Sequence, residues 1–373
     1  MESNQVFISV QNLAPNQGTA LTPVWVGLHD GEFDTYDRDT AASPGLESLA
    51  EDGAIETLSA EFDQSRAGTT QGAVAGAEGP IQPGESTGAF FEVENSEGQG
   101  QYLNYAAMVL PSNDFFVANG DPLAHQIFDN EGNFVGADFT VAGSEVLDAG
   151  TEVNDEIPEN TAFFGQETPN TGVDENGVIR LADGFIEGGA ILSSEDFANA
   201  DFTAPDYQVA RIRVLNFIGG DDTNETFAGT AADDYIIGNQ GNDVIRGRQG
   251  NDQLKGGRGK DRLFGGNGDD ELFGGRGRDY LFGGAGNDTL AGRSGNNVLN
   301  GGDGADVFAL VGNGTANIED FSTDDRIQLG SSLQFADLAI TQNNQNTVIA
   351  VADNTLAVLE NVDASTINES VFV

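Results

Sequence analysis

The sequence has no cysteine, two histidines, two methionines and one tryptophan, and only 15 basic residues against 61 acidic ones. Without cysteine there are no disulfides, which small secreted domains use to hold their folds together. The net charge of −46 argues against nucleic acid or an anionic membrane surface as a direct partner, because both would be repelled. Cations are the expected partners, and rigidity must come from a large core or from bound metal.

Long apolar runs are also missing. No run of about 18 apolar residues exists, so the chain is predicted not to span a membrane. Residues 1–8 lack both a basic segment and a long apolar one, so a cleaved amino-terminal secretion signal is not expected. The two histidines, His29 and His125, are too far apart in the sequence to form the H-E-x-x-H motif of a zinc protease, and they are predicted to be structural.

What the sequence has in abundance is glycine, and from Gly238 onward it follows a nine-residue period without insertion or deletion. Glycine occupies the first and fourth positions of each repeat, and an aliphatic or aromatic residue the eighth. The sixth position, counted from the preceding repeat, holds Asp234, Asp243, Asp252, Asp261, Asp270, Asp279, Asp288, Asn297 and Asp306. A flexible linker would not keep aspartate and leucine in phase, so the sequence predicts a stacked array.

Each position of the repeat has a physical reason. Glycine lets a six-residue turn adopt positive φ angles and leaves its carbonyl groups open to a cation. The aspartate adds charge where those carbonyls converge, and the last three residues form a short strand with one inward apolar side chain. Two repeats therefore make one coil of 18 residues, and coils pair about 4.8 Å apart.

That spacing brings aspartates of neighbouring coils together. Two carboxylates roughly 5 Å apart, at an effective dielectric near ~20, repel by about 3 kcal/mol. A hard divalent ion with about six oxygen ligands reverses this interaction. Folding and binding of a divalent ion are therefore predicted to be one process.

Residues 229–309 resemble the repeats-in-toxin family, whose calcium repeats have the form G-G-x-G-x-D-x-U-x; Gly256–Phe264 and Gly283–Ala291 match in full. The resemblance implies a parallel β-roll with calcium between alternate repeats. One edge would carry Asp234, Asp252, Asp270, Asp288 and Asp306, and the other Glu225, Asp243, Asp261, Asp279 and Asn297. Because Asn297 lacks the charge, the last site on the second edge is predicted to be weak or empty.

Nine basic residues between Arg246 and Arg293 occupy outward positions of the coils. They either dilute surface repulsion or form a polyanion-binding face. The sequence favours dilution, because the chain as a whole is strongly acidic.

Residues 310–373 leave the period but keep short β-like runs, and we expect them to continue or cap the roll. The tip Glu369–Val373, an acid followed by mainly apolar residues, resembles the uncleaved terminal signal of repeat proteins that leave the cell through one-step, ATP-driven channels. The predicted location is therefore extracellular, by a carboxy-terminal signal.

Residues 6–214 also contain short alternating strands separated by turns, which predicts an antiparallel β-sandwich, with one short helix at 45–51. Several segments resemble the spondin domain: Val26–Gly31, Leu49–Gly53, Met108–Phe116 and Leu147–Glu152. The resemblance implies a C2-like sandwich, a role in adhesion or matrix binding, and one divalent-metal site. By motif, its ligands are Asp114, Asp148 and Glu152.

The sequence thus predicts an all-β protein with a spondin-like sandwich at 1–215, a calcium roll at 216–309 and a β-rich cap at 310–373. We predict a non-enzymatic, monomeric, secreted calcium-binding protein, with an extracellular glycan or a cell-surface protein as partner. An extracellular polysaccharide hydrolase is the alternative, because paired carboxylates are abundant in the first half. A structural surface-layer or matrix component is another. Gly84–Gly88 has the G-x-S-x-G form, but its flanks do not predict the strand and helix that a nucleophile elbow needs.

Overall fold

The computed structural model describes residues 4–93, 101–158, 161, 162, 164, 166, 173 and 175–373. The chain forms two compact units, Met1–Leu215 and Asn216–Val373. The predicted all-β class is confirmed, with an antiparallel first unit and a parallel roll in the second. Within these described ranges, no helix has the length and apolar character needed to cross a membrane.

The first unit contains two helices, α1 (Pro44–Asp52) and α2 (Glu56–Ser65), and a 3-10 turn at Gly143–Glu145. Its strands, in chain order, are β1 (Asn4–Asn12), β2 (Ala20–Leu21), β3 (Val24–His29), β4 (Gly68–Val74), β5 (Ser86–Val93), β6 (Gln101–Leu110), β7 (Phe115–Ala118), β8 (Gln126–Phe128), β9 (Ala137–Ala142), β10 (Leu147–Asp148), β11 (Arg180–Leu181) and β12 (Gln208–Gly219). Strand β12 contains the boundary between the units, and its residues 208–215 belong to the first.

These strands form a two-sheet sandwich. One sheet has the order β5, β1, β12 with β9 beside β12; the other has the order β11, β10, β7, β6, β3, β4, with β2 and β8 against β6. One buried cluster takes alternate side chains from both sheets, including Val6 and Ile8 of β1 and Val26 and Val109 of the opposite sheet. The alternation seen in the sequence therefore marks the inner faces.

Both helices cover the outer face of the second sheet, where a separate cluster joins Trp25 and Phe116 to Leu49 and Phe62. Helix α1 contains the predicted 45–51 helix, and Ser43 caps it by accepting the Leu46 N–H at 3.2 Å. Helix α2 was not predicted. Its buried face is only Leu58 and Phe62, too short an apolar stripe to identify from the sequence.

The second unit continues in the same numbering. Its strands are β13 (Thr226–Ala228), β14 (Asp234–Ile237), β15 (Val244–Gln249), β16 (Gln253–Gly259), β17 (Arg262–Asn267), β18 (Glu271–Gly277), β19 (Tyr280–Ala285), β20 (Thr289–Ser294), β21 (Asn296–Asp303), β22 (Val307–Leu310), β23 (Thr315–Ile318), β24 (Arg326–Leu329), β25 (Ala339–Asn343), β26 (Asn346–Val351) and β27 (Asn354–Leu359). Short 3-10 turns lie at Phe335–Asp337, Ala364–Thr366 and Glu369–Val371.

The repeat strands form a parallel roll with the predicted 18-residue coil, because Ile236 pairs with Leu254 and Leu254 pairs with Leu272. One sheet of the roll has the order β14, β16, β18, β20, β22, β24, with residues 216–219 pairing with β14. The other has the order β13, β15, β17, β19, β21, β23, β27, β26, β25. The apolar column is fully buried between them.

The strands are longer than the three residues predicted. Strand β16 has seven residues, and its pairing with β18 continues through Gly257 with Gly275 and Gly259 with Gly277. Each turn repeats the conformation of the turn in the neighbouring coil, so the backbone groups of the turns pair as well.

The residues after the repeats both extend and cap the roll. Strands β23 and β24 continue the two sheets in parallel, and β27 pairs with β23 in parallel as well. The pairs β25–β26 and β26–β27 are antiparallel. At the tip, Phe372 bridges to Ile327, and the Val373 N–H donates to the Ile327 carbonyl at 3.1 Å. The export role of this tip stays a prediction.

Candidate metal centre

Two rows of buried carboxylates run along the roll. Aspartates 18 residues apart lie at the start of neighbouring strands of the same sheet, which places them in two rows. One edge of the roll carries Asp234, Asp252, Asp270, Asp288 and Asp306. The other edge carries Asp243, Asp261, Asp279 and then Asn297. All of these side chains are at most 2% exposed. The structure therefore collects the acid column into two ladders.

One oxygen of each carboxylate links neighbouring coils. The Oδ1 of Asp252 accepts the backbone N–H of Asp234 at 2.8 Å, and the Oδ1 of Asp270 accepts that of Asp252 at 2.8 Å. Equivalent bonds of 2.8 to 3.0 Å repeat along both ladders. These bonds fix the orientation of every ladder carboxylate.

The other oxygen is left without a partner. In the part of the chain that the structure describes, six buried Oδ2 atoms make no hydrogen bond: those of Asp243, Asp252, Asp261, Asp270, Asp279 and Asp288. A buried charged oxygen without a partner is strongly unfavourable. A bound cation would satisfy these oxygens.

Glycine and carbonyl groups surround these free oxygens. A Cβ built on Gly256 would lie 2.6 Å from Asp261 Oδ2 and 2.8 Å from the Gly274 carbonyl oxygen. The first glycine of the repeat therefore keeps open a space lined by carboxylate and carbonyl oxygens. Such hard oxygen donors fit Ca²⁺, which when bound supplies the missing positive charge.

Burial makes these carboxylates reluctant to ionise without metal. It raises the pKa of Asp252 to about 8 and that of Asp270 and Asp288 to about 7. On the second edge it raises the pKa of Asp261 and Asp279 to about 6. The inter-coil hydrogen bond opposes this shift, and the charges of neighbouring carboxylates add to it as a smaller cause. Loss of hydration, rather than the repulsion expected from the sequence, is therefore the main cost.

The ends of the first ladder differ from its middle. Asp234 Oδ2 accepts the Thr230 N–H at 2.6 Å, and Asn216 Nδ2 donates to Asp234 Oδ1 at 2.7 Å, so this carboxylate is satisfied by the protein itself. At the other end Asp325, which the sequence did not identify, accepts the Asp306 N–H at 2.9 Å. Its spacing of 19 residues from Asp306 breaks the period, which is why the repeat pattern missed it.

Asn297 interrupts the charge of the second ladder but not its hydrogen bonding, because its Oδ1 accepts the Asp279 N–H at 2.9 Å. Its Nδ2 then occupies the place of the free oxygen, beside Gly292. We expect Asn297→Asp to add about one bound calcium per chain, measured by native mass spectrometry in calcium. Asn300→Asp, outside the ladder, is the control, and an equal gain in both variants would contradict this role for Asn297.

The three carboxylates predicted in the first unit are also buried. Two of them, Asp114 and Asp148, share one hydrogen-bond donor. Asn154 Nδ2 donates to Asp114 Oδ1 at 2.9 Å and to Asp148 Oδ2 at 3.3 Å. Asp114 Oδ2 accepts the backbone N–H of Thr151 at 3.0 Å and of Glu152 at 3.2 Å. Burial, followed by the charge of Asp148, raises the pKa of Asp114 to about 6.

The charge of Glu152 affects Glu51 of α1 instead. The sequence did not identify Glu51 as a site residue, although it lies in the spondin-like segment Leu49–Gly53. Burial raises the pKa of Glu51 to about 7, a hydrogen bond with the Thr151 side chain opposes this, and the charge of Glu152 adds to it. Asp148 pairs with Arg180, whose Nη2 lies 3.1 Å from its Oδ2. Among the described residues, no three His, Cys, Asp or Glu side chains are arranged to hold a metal ion.

A parallel roll with two buried carboxylate ladders, each with free oxygens beside open glycines, defines a divalent-cation-binding repeat protein. Comparison with known families makes this specific: residues 219–254, 246–281, 255–290 and 282–309 each match the RTX calcium-binding nonapeptide repeat, and residues 12–121 match Spondin_N. Both predicted resemblances are confirmed, in the predicted order. Together they indicate an extracellular calcium-binding protein. The Spondin_N match includes Asp114 and ends before Asp148 and Glu152.

Solved structures match only part of the chain. The extracellular lipase LipA of Serratia marcescens is 19% identical over 42% of this chain and 39% of its own, with a TM-score of 0.19. A subunit of the mannuronan C5-epimerase of Azotobacter vinelandii, solved in solution, is 23% identical over 41% of this chain and 80% of its own, with a TM-score of 0.20. The chain therefore spans well under half of the lipase. No curated protein matches it.

Proposed function

We propose that this chain is a secreted, non-catalytic binding protein whose roll folds on calcium after export. The observation that carries the proposal is the set of six buried carboxylate oxygens, three on each ladder, without hydrogen-bond partners among the described residues. Inside a cell, where calcium is scarce, these carboxylates would keep the repeats unfolded and able to thread through a channel. Outside, calcium near the millimolar range of extracellular modules would fold them.

Direct calcium counting tests this proposal. Native mass spectrometry of the whole chain in calcium is expected to show several bound ions, because several ladder oxygens have no hydrogen-bond partner among the described residues. Magnesium at the same concentration is expected to bind less, because it demands a tighter octahedral geometry that long carboxylate ladders do not provide. A chain that bound no calcium would sink the proposal.

For the first unit we propose adhesion or matrix binding, supported by the Spondin_N match, and one divalent ion held by Asp114 and Asp148. Arg180 competes with that ion, because its guanidinium already neutralises Asp148. Glu152 and Glu51, which influence each other electrostatically, would complete a ligand shell only by moving towards the other pair.

Because Arg180 competes with the ion, substitutions of Asp148 and of Arg180 should change the affinity for the ion in opposite directions. We expect Asp148→Asn to remove one divalent ion from the chain and Arg180→Gln to strengthen that site by about tenfold, since a positive charge near the ion is lost. Isothermal titration with each variant measures both effects. Arg38→Gln, in the same unit, is the charge-matched control. If Arg180→Gln weakened the site, the arginine would be supporting the metal loop rather than competing for it.

The same variant separates binding from catalysis. A broad screen of polysaccharide and ester substrates, run with the wild-type chain and with Asp148→Asn, is expected to give no turnover in either. Turnover by the wild type that disappears in Asp148→Asn would favour the extracellular hydrolase instead. A pull-down from extracellular material in calcium, and a glycan array, would then identify the partner of the first unit.

A further inference from the structure

Nine basic side chains lie between Arg246 and Arg293, in a chain whose net charge is −46. Over the same stretch, the acids outside the ladders are Asp269 and Glu271. Among the described residues, the ion pairs found involve arginines of the first unit, and none involves these nine cations. With the ladder charge neutralised by calcium, the outer surface of this stretch is therefore positive.

Four of these cations line one groove. Lys255, Arg258, Arg276 and Arg293 come from the consecutive strands β16, β18 and β20 of one sheet and surround a groove of about 730 Å³. Arg258 and Arg276 are register partners in adjacent coils, hence about 4.8 Å apart along the stack. Polar side chains, including Gln240 and Ser294, and one acid, Asp222, also line it.

Aromatic rings hold two of the cations in place. Lys255 Nζ lies 4.6 Å from the centre of the Tyr235 ring and 2.7 Å from its hydroxyl, and the Arg293 guanidinium lies 5.2 Å from the centre of the Phe273 ring. Because cations cover these ring faces, the rings are not free to stack on nucleic-acid bases. The groove offers fixed positive charge and hydrogen-bonding groups instead.

Arg293 is held in a strained backbone conformation. Its φ of 66° falls in the left-handed region, at the repeat position where Gly257 has φ 104° and Gly275 has φ 103°. A side chain is disfavoured there. This conformation places the Arg293 side chain in the groove.

A membrane surface does not suit this groove. In the described part of the second unit, Val373 is the large apolar side chain with high exposure, and it is not in the groove. Membrane-surface binding needs apolar side chains that enter the lipid as well as positive charge. An extended polymer with acidic groups along its length and hydroxyl groups between them matches both the cations and the amide and hydroxyl lining.

We propose that this groove binds a linear acidic polysaccharide, through its carboxylate or sulfate groups, and does so when calcium fills the roll. The inference goes beyond the proposed function and rests on it only for the calcium dependence. All residues that line the groove belong to the second unit.

The test uses the full chain and a charge-matched pair of variants. One replaces Lys255, Arg258, Arg276 and Arg293 by glutamine. The other replaces Arg246, Arg248 and Arg262, which lie on strands of the other sheet, and Arg278, whose guanidinium lies 5.7 Å from the centre of the Tyr280 ring of that sheet. Binding of polygalacturonate and of dextran sulfate is measured by isothermal titration in calcium. We expect the groove variant to lose at least about tenfold in affinity, and the control to stay within about threefold of wild type.

Which polymer binds more tightly identifies the acidic group. Equal losses in both variants, no binding of either polymer by the wild type, or tighter binding of oligothymidylate or of phosphatidylserine vesicles would each overturn the proposal. Calcium-dependent circular dichroism of the same samples reports the folding of the roll. A roll that folds without calcium defeats the proposed function, while the comparison of the two variants still decides the groove.

A single variant guards against misfolding. Arg293→Gly relieves the left-handed strain and removes one groove cation, so we expect a melting temperature at or above that of wild type together with weaker polysaccharide binding. Arg248→Gly, strained in the same way at φ 95° but outside the groove, is the control and should keep its binding. A loss of binding in Arg248→Gly as large as that in Arg293→Gly would contradict the groove assignment.

Discussion

In chelator at pH 7.5, residues 229–309 are expected to lose essentially all protection from hydrogen exchange, and millimolar calcium is expected to restore it. The reason is the buried ladder: without metal, the raised pKa of Asp252, about 8, shows that its charged form is disfavoured inside the roll. Hydrogen-exchange mass spectrometry of the whole chain measures this segment by segment. Peptides from β1 and β6 in the first unit are the internal control.

Acid should replace calcium in part. Folded Asp252 and Asp270 hold protons up to about pH 8 and pH 7, whereas unfolded aspartate releases them near pH ~4. Folding of the metal-free roll therefore takes up protons, and its free energy of unfolding rises as the pH falls through this range. Protection in chelator should be greater at pH 5 than at pH 7.5. A metal-free roll that was equally protected at both pH values would contradict the ladder mechanism.

Filling the space beside one free carboxylate oxygen should also remove calcium and destabilise the roll. In Gly256→Ala the new methyl group would lie 2.6 Å from Asp261 Oδ2 and 2.8 Å from the Gly274 carbonyl oxygen. We expect the loss of about one bound calcium, and about 1–3 kcal/mol of stability from overpacking. Native mass spectrometry and calcium titration of circular dichroism measure these effects.

The matched control is Gly330→Ala, where the nearest atom to the new methyl group is the Leu310 carbonyl oxygen at 3.9 Å. Neither glycine has a φ in the left-handed region, so backbone strain does not separate the two variants. Gly330→Ala should bind calcium as the wild type does. If Gly256→Ala kept its full complement of calcium, the free oxygens would not be the ligands.

The sequence predicted the roll well because its two periods, glycine with aspartate and the buried leucine, follow directly from coil geometry. The sequence-based prediction was wrong about the main cause of the unfavourable carboxylate charge. Spacing suggested repulsion between carboxylates, whereas burial is the larger cause of the raised pKa of Asp270. Burial depends on how the turns close over the carboxylate, which the spacing of residues does not specify.

A further ladder, separate from the two aspartate ladders, was not predicted although its signal is present in the sequence. At the fifth position of the repeat, Asn251 Oδ1 accepts the Asp269 N–H at 2.7 Å, and Asp269 Oδ1 accepts the Asn287 N–H at 2.6 Å. Asparagine or aspartate fills this position in most repeats. In the first unit Glu51 was missed for another reason: tertiary packing alone brings α1 to the loop of Glu152.

From Asp243 onward, each ladder aspartate in the roll accepts a backbone N–H of the coil before it, so these coils depend on their neighbours. Such a stack behaves as a one-dimensional lattice, in which starting a new ordered block costs much more than lengthening an existing one. The antiparallel hairpins β25–β27 need no repeat carboxylate to form and adjoin β23 at one end of the stack. We expect them to act as a nucleus, from which order propagates coil by coil towards residue 216.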